Sequence, residues 1–546
     1  MRTISKRMSS LLISILCAGL VLAACSSSGG NGEGSGTANN AQTTSTGQTG
    51  GGSRQADTNG PQYGGTLTIA VTQDPIVLGH PPRIIGGSEQ LIARTALETL
   101  GRYNEKGELE PYLAESWEWD VDNAAIYIKL REGVQFHDGT PLDAEALRWN
   151  LELMRQAEKY VFNTKDTHPI EIVDERTVKV PMVEWDYSIF REIAYTTHII
   201  SPTAYEKNGG ADWAADNPVG TGPFKFVEWD KSVGVKFVKN ENYWQEGKPY
   251  MDAVEWKIVS DSMTAESMLR SGEVDIYYGT GAQTVHSLAS QFQVLILENG
   301  IRAAGRYLAP DSANPDSPFA DVRVREAITY AINRQPIVDA IFLGYATPIS
   351  QYAFPGGSGY NPDIPMEYNP EKAKRLLAEA GYPNGFKTQI IFENTNEHMQ
   401  VFTAVQGDLK AIGIDAELVP ITNSLRSEIQ GRNGTWEGMT VCALSFAEIN
   451  HQGMLRQFSS QAQSCRYTIQ PPEVDELLAK AKQARSNEER SRITAELNGI
   501  IFGTYHLGIP IYLTPVMSLA NPKVHDSGMN KYDGTGWWPE QVWIAK

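Results

Sequence analysis

The stretch KTQIIFENTNEHMQVFTAVQGDLKAIGIDAELVPI, residues 387–421, limits the fold more than any other part of this chain. Its ends, KTQIIFEN and DAELVPI, are short and β-rich, and predict strands. Between them EHMQVFTAVQGDLKAIG (397–413) predicts a helix. Strand, helix and strand within about 35 residues make a βαβ unit, and a crossover of that kind pairs its strands in parallel.

The same alternation runs through most of the chain. TLTIAV (66–71) and TVKVPM (177–182) predict strands, and AAIYIKLREGVQF (124–136) alternates like a hairpin. SEQLIARTALETL (88–100) spaces Ile92, Ala96 and Leu100 as a helix does, behind Ser88 as N-cap. DAEALRWNLELMRQAE (143–158) predicts an amphipathic helix capped by Asp143. VREAITYAINRQPIVDAIF (324–342) predicts another. PEKAKRLLAEAG (370–381) has Pro370 in its first turn and a glycine just past its end. No repeat of 20–50 residues occurs. The class is α/β, and a body of about 480 residues divides into two or three domains.

The first residues belong to no domain. Arg2, Lys6 and Arg7 precede an apolar run from Leu11 to Ala24. That run is roughly 14 residues, short of the roughly 20 a membrane-crossing helix needs, so 1–24 read as a secretion signal. Leu22-Ala23-Ala24-Cys25 resembles the lipobox of bacterial lipoproteins. The resemblance implies cleavage before Cys25 and acylation of that residue, which would anchor the protein on the outer face of a cell membrane. Residues 26–60 are mostly Ser, Gly, Thr, Asn and Gln. Such a composition does not offset its own ordering entropy and predicts a tether spanning roughly 30–35 Å.

Charge and cysteine usage exclude several function classes. Lys and Arg number 47 against 65 Asp and Glu, with no basic cluster, which argues against a nucleic-acid partner. In the body only Cys442 and Cys465 are present, and no cysteine–histidine group has zinc spacing. In an exported protein these two either close a disulfide or stay as buried thiols. No G-x-S-x-G, H-E-x-x-H or metal-spaced histidine pair marks a hydrolase. Paired carboxylates for glycoside hydrolysis keep an extracellular hydrolase as the alternative of a different class. His137-Asp138 in FHDGTPL and the glycines of GTGPF read as turns rather than as a catalytic pair or a phosphate loop. No catalytic residue, metal or cofactor is expected.

Several segments in combination carry a family resemblance: GRYNEKGELEPYLAESWEW, IKLREGVQFHDGTPLDAEALRWNLE, PVGTGPFKF, NENYW, KPYMDAVEWKIV, MLRSGEVDIYYG and FADVRVREAITYAINRQPIV. Together they resemble the family-5 extracellular solute-binding proteins, the receptors of ATP-driven peptide and nickel importers. The resemblance implies a type II periplasmic-binding fold of the cluster C kind, two hinged lobes with an enlarged first one. Lobe one would take 61–305, with an inserted subdomain at about 105–200. Lobe two would take 306–508, and 509–546 would return to lobe one. A monomer that closes on a solute and docks on importer membrane subunits is implied.

The ligand is where the chain departs from its relatives. Peptide-binding members often carry Gly-Trp, with an Asp three residues after the Trp, on the cleft strand of lobe two. The corresponding stretch is WEGMTVCALSFAEIN (436–450), with Ala443 or Leu444 at the Trp position and Phe446 or Ala447 at the Asp position. Glu448 is the nearest acid, and either turns in to meet a peptide's ammonium group or faces water. Phe446 either stacks on a ligand or fills the core. Tyr352, Phe354 and Arg83 sit in loops that line the cleft in the family, with packing or surface roles as the alternative. Trp537 and Trp538 read as core or surface. His451 alone is weak ground for a metal. An oligopeptide is the first expectation, and an oligosaccharide or other solute the second.

Overall fold

Strand pairing gathers the body into three main sheets, and each is explained by where its apolar residues fall. The computed structural model describes residues 60–546 apart from 85–86, 105–107, 158–167, 297–302, 354, 365, 432, 446–453, 455–456 and 532–535. The first sheet has seven strands in the order Phe224–Asp230, Gly234–Lys239, Ala253–Ile258, Thr66–Val71, Ile276–Tyr278, Met517–Ala520, Gln293–Ile296. Thr66–Val71 runs parallel to both neighbours, with Leu67 opposite Val254 and Ile69 opposite Ile276. Leu67, Ile69, Ala70 and Val71 are all buried, as a strand covered on both faces requires.

The second sheet has six strands in the order Thr347–Pro348, Ile509–Pro515, Ala303–Pro310, Met439–Ser445, Lys387–Glu393, Asp415–Ile421. Lys387–Glu393 and Asp415–Ile421 are parallel and in register from Lys387–Asp415 to Glu393–Ile421. The helix Asn396–Ala411 joins them, so the βαβ unit forms as its pattern predicts. Val401, Phe402, Val405 and Leu409 turn its apolar stripe inward.

The inserted subdomain carries an antiparallel sheet of four strands, Ala114–Asp120, Ala125–Leu130, Thr177–Pro181 and Glu171–Ile172. Ala144–Gln156 packs on it. The Asp143 carboxylate caps that helix by accepting from Ala146 N, and Leu147, Leu151 and Met154 meet Ile126, Ile128 and Val178.

Four expectations need correction. The 124–136 segment is not a hairpin by itself: Ala125–Leu130 pairs with the preceding Ala114–Asp120 and with Thr177–Pro181. The helix expected over 88–100 spans only Gly87–Ala93. Glu98–Thr99 pairs instead with His198–Ile199, and tertiary pairing overrides the helical spacing. The helix expected over 324–342 is two, Val322–Ala331 and Arg334–Phe342. Pro336 lies in the first turn of the second, where its missing N–H costs nothing; in a continuous helix it would clash with the preceding turn. The return to lobe one also comes later than residue 509. Ile509–Pro515 pairs with Ala303–Pro310 in the second sheet, and Met517–Ala520 joins the first, so the crossing is Val516. The same pairing brings Ala303 into lobe two.

Candidate functional site

Sheet direction gives the candidate position for a ligand site. Ile509–Pro515 ends at the Val516 crossing, and Ala303–Pro310, its antiparallel partner, begins there. Met439–Ser445 is antiparallel to Ala303–Pro310 and parallel to Lys387–Glu393. The carboxyl ends at Glu393, Ile421 and Ser445 therefore lie at the crossing end of the second sheet. In the first sheet Met517–Ala520 starts at the crossing and Ile276–Tyr278 is antiparallel to it. Val71, Ile258 and Tyr278 thus point their carboxyl ends the same way. Open α/β sheets bind ligands outside the carboxyl ends of their strands.

The second-lobe rim carries a network of charges. Arg306 Nε donates to His398 Nε2 at 3.1 Å, and the other ring nitrogen lies 3.0 Å from the Glu393 carbonyl. The Arg306 Nη1 donates to Gly305 O at 3.0 Å. Burial, and then the neighbouring Arg306, push the His398 pKa down, which favours the neutral ring. It accepts from arginine on one side and donates to the carbonyl on the other. Arg426 pairs with Glu393 at 3.3 Å, and the Tyr512 hydroxyl donates to Glu397 at 2.7 Å. Burial, followed by the Glu397 charge, holds the Tyr512 hydroxyl well above its ordinary pKa.

The first lobe offers a different environment. Beneath its surface Glu98 is buried and accepts from Tyr243 OH at 2.7 Å, Thr221 Oγ1 at 2.8 Å and Trp244 Nε1 at 3.0 Å. Burial outweighs these donors and raises its pKa to about 7. A cavity beside it is lined by Arg94, Arg102, Tyr112, Tyr195, Trp538 and Glu540. The Arg102 guanidinium packs on Tyr112 at 4.6 Å and Trp538 at 4.4 Å and pairs with Glu540 at 3.2 Å. The cavity measures about 40 Å³, room for one or a few waters and too little for a peptide. It is part of the lobe's internal polar packing.

Between lobes the inserted subdomain reaches the second-lobe helices Pro472–Lys482 and Asn487–Asn498. Trp185 Nε1 donates to Ala484 O at 3.0 Å, and Arg485 lies 3.0 Å from Asp122. On the crossing side Gln283 Nε2 donates to Ile341 O at 2.9 Å.

The residues expected at the site fall as follows. Glu448, Phe446 and Phe354 lie outside the described residues, as do His451 and Cys25. Arg83 ends a short 3₁₀ turn in the loop after Thr66–Val71, half exposed, with Asp212 at 3.8 Å. Tyr352 is 5% exposed and packs in the second-lobe core with Ile349, Ile364 and Cys442. Cys442, on the Met439–Ser445 strand, is joined to Cys465 as a disulfide, with α-carbons 6.6 Å apart. Trp537 is core, edge-on to Trp256, and Trp538 lines the small cavity. Asp138 accepts from the backbone and side chain of Thr140 and from Ser201, which is turn chemistry. A Cβ on Gly222 would stand 2.6 Å from Ala96 O, so that glycine serves close packing.

Sequence reasoning missed Arg306, Glu397, His398 and Arg426. The signal was present: the carboxyl end of the recognised βαβ unit, residues 393–398, is where such a unit binds ligands.

The chain was compared with known proteins. The model of bacterial extracellular solute-binding proteins, family 5, matches residues 108–463. The glutathione-binding protein GsiB of Salmonella paratyphi A is 30% identical over 427 residues, 76% of this chain and 82% of that protein. GsiB of Escherichia coli K12 is 29% identical over 428 residues, with the same coverage. Among solved structures, the ABC transporter substrate-binding protein CtaP of Listeria monocytogenes superposes with a TM-score of 0.80 at 21% identity, covering 89% of this chain and all of that one. The periplasmic binding protein DppA of Helicobacter pylori, solved with the peptide STSA, gives 0.70 at 24% identity, covering 89% and 99%. These place the fold among type II periplasmic binding proteins. By that family match and the extent of its likeness to GsiB, the chain belongs to the family-5 bacterial extracellular solute-binding proteins, the receptors of ABC importers.

Proposed function

We propose that this receptor captures a small peptide-like solute between its lobes and delivers it, unchanged, to the membrane subunits of an ATP-driven importer. One observation carries the reading. The carboxyl ends of both sheets flank the crossing at Val516, so a solute lying there touches both lobes. A ligand that contacts both favours the closed arrangement by its differential affinity, and closure is what an importer can recognise. The GsiB relatives and the peptide-bound DppA neighbour support a peptide-like solute. Acylated Cys25 and the polar stretch after it would hold a monomeric body at the membrane's outer face. No helix among the described residues is long and apolar enough to cross a membrane. The receptor consumes nothing itself.

Titration calorimetry of residues 61–546 against glutathione, di- to pentapeptides and neutral oligosaccharides tests the proposal. Saturable binding of one or more peptides at one site per molecule is expected. Binding confined to oligosaccharides would replace the peptide reading with a sugar receptor.

A further inference from the structure

We propose that Arg306 is the second lobe's carboxylate-binding residue, so that the solute is an acid held by that acid group. This rests on the receptor reading above and narrows it to one residue and one ligand chemistry. Arg306 is the fourth residue of the strand Ala303–Pro310, which starts at the crossing end of the sheet. It lies opposite Ala443 on one side and Tyr512 on the other, at the rim where the carboxyl ends converge.

The surrounding bonds hold the guanidinium and use only part of its capacity. Nε donates to His398 and Nη1 to Gly305 O, and His398 is itself fixed against the Glu393 carbonyl. An arginine has five N–H donors in a planar fork suited to a carboxylate. The two acids nearby are engaged elsewhere, Glu393 with Arg426 and Glu397 with Tyr512. Among the described residues no carboxylate lies within 4.0 Å of the Arg306 nitrogens, although neighbouring Arg426 has one at 3.3 Å. A half-buried cation whose neighbours supply a neutral ring and a carbonyl is stabilised by an anion. At the rim of a solute cleft that anion is the ligand's carboxylate, and the fork geometry favours a two-point contact.

The test uses residues 61–546 as parent, Arg306→Gln and Arg306→Lys, in titration calorimetry at fixed pH and salt. The probes are glutathione, di- to pentapeptides, the same peptides as C-terminal amides, and neutral oligosaccharides. Arg306→Gln should weaken the free acids by roughly ten- to a hundredfold, the loss expected for a charge-assisted hydrogen bond. The amides should bind the parent weakly and be affected little by the substitution. Arg306→Lys should restore part of the loss, since it keeps the charge without the fork. Thermal melts identify a variant that has merely lost structure. Equal losses for acids and amides, or acids bound as tightly by Arg306→Gln as by the parent, overturn the assignment while the peptide reading stands. Binding of acids other than peptides, lost in Arg306→Gln, keeps Arg306 and removes the peptide. Binding of oligosaccharides alone overturns both.

Discussion

The Tyr187 hydroxyl of the inserted subdomain donates a 2.5 Å hydrogen bond to Oδ1 of Asn487 in the second lobe. The Arg490 guanidinium, one turn along the same helix, lies 4.0 Å from the centre of the tyrosine ring and donates to the same Asn487 oxygen at 3.1 Å. With Trp185 on Ala484 O, this ties the insertion to lobe two through helices that carry no strand of the Val516 crossing.

Tyr187→Phe keeps the ring and removes the bond to Asn487. It should cost the lobe-to-lobe contact about 1 kcal/mol and weaken solute binding about fivefold. Arg490→Gln, which removes the cation from the ring, should act in the same direction. Small-angle scattering of the solute-free protein should report a larger radius of gyration for both variants. Unchanged radius and unchanged affinity would mean that the contact plays no part in closure. The exposed Arg485–Asp122 pair should contribute little, since solvent screens it.

Stability should depend on pH through Glu98. Its folded pKa is raised to about 7 from an ordinary 4.5, chiefly by burial. A raised carboxylate stabilises fully below the unfolded pKa, and that contribution is lost as pH rises through the folded value. The loss between pH 4.5 and 7 is at most about 3 kcal/mol. Glu98→Gln should flatten this part of the stability profile in denaturant titrations at several pH values. A profile as steep in the variant as in the parent would place the proton uptake elsewhere.

The sequence was most legible where local chemistry and tertiary structure agree. Asp143 caps its helix, and Asn396–Ala411 joins two parallel strands, because apolar spacing and capping both favour those states. It was least legible where a long-range partner decides. Glu98 sits at a helical interval yet becomes strand, because His198–Ile199 arrives about a hundred residues later to pair with it. The candidate site divides the same way. Arg83 was placed in its loop by the strand before it, whereas Arg306 and His398 are 92 positions apart and meet only through sheet pairing. No local pattern announces that contact.

The disulfide gives a chemical prediction. Cys442 and Cys465 enclose a 23-residue separation, for which chain-entropy reasoning assigns about 3 kcal/mol. Thiol counting on the unfolded, unreduced body 61–546 should find no free thiol. The double variant Cys442→Ser, Cys465→Ser should lose stability of that order. Two reactive thiols would contradict the bridge.

Membrane attachment should depend on one residue. Cys25→Ala should abolish lipoprotein processing and move the protein out of the detergent phase in phase partitioning. A variant that still fractionates with membranes like the parent would assign attachment to another segment.

The most direct measurement for the account as a whole is native mass spectrometry of the body 61–546 purified from its own cells, before and after mild denaturation. The account predicts one solute per protein molecule, released on denaturation, that fragments as a peptide with a free carboxylate and keeps its mass after prolonged incubation with the folded protein. A solute that fragments as a neutral oligosaccharide, or one the folded protein converts to products, would contradict it.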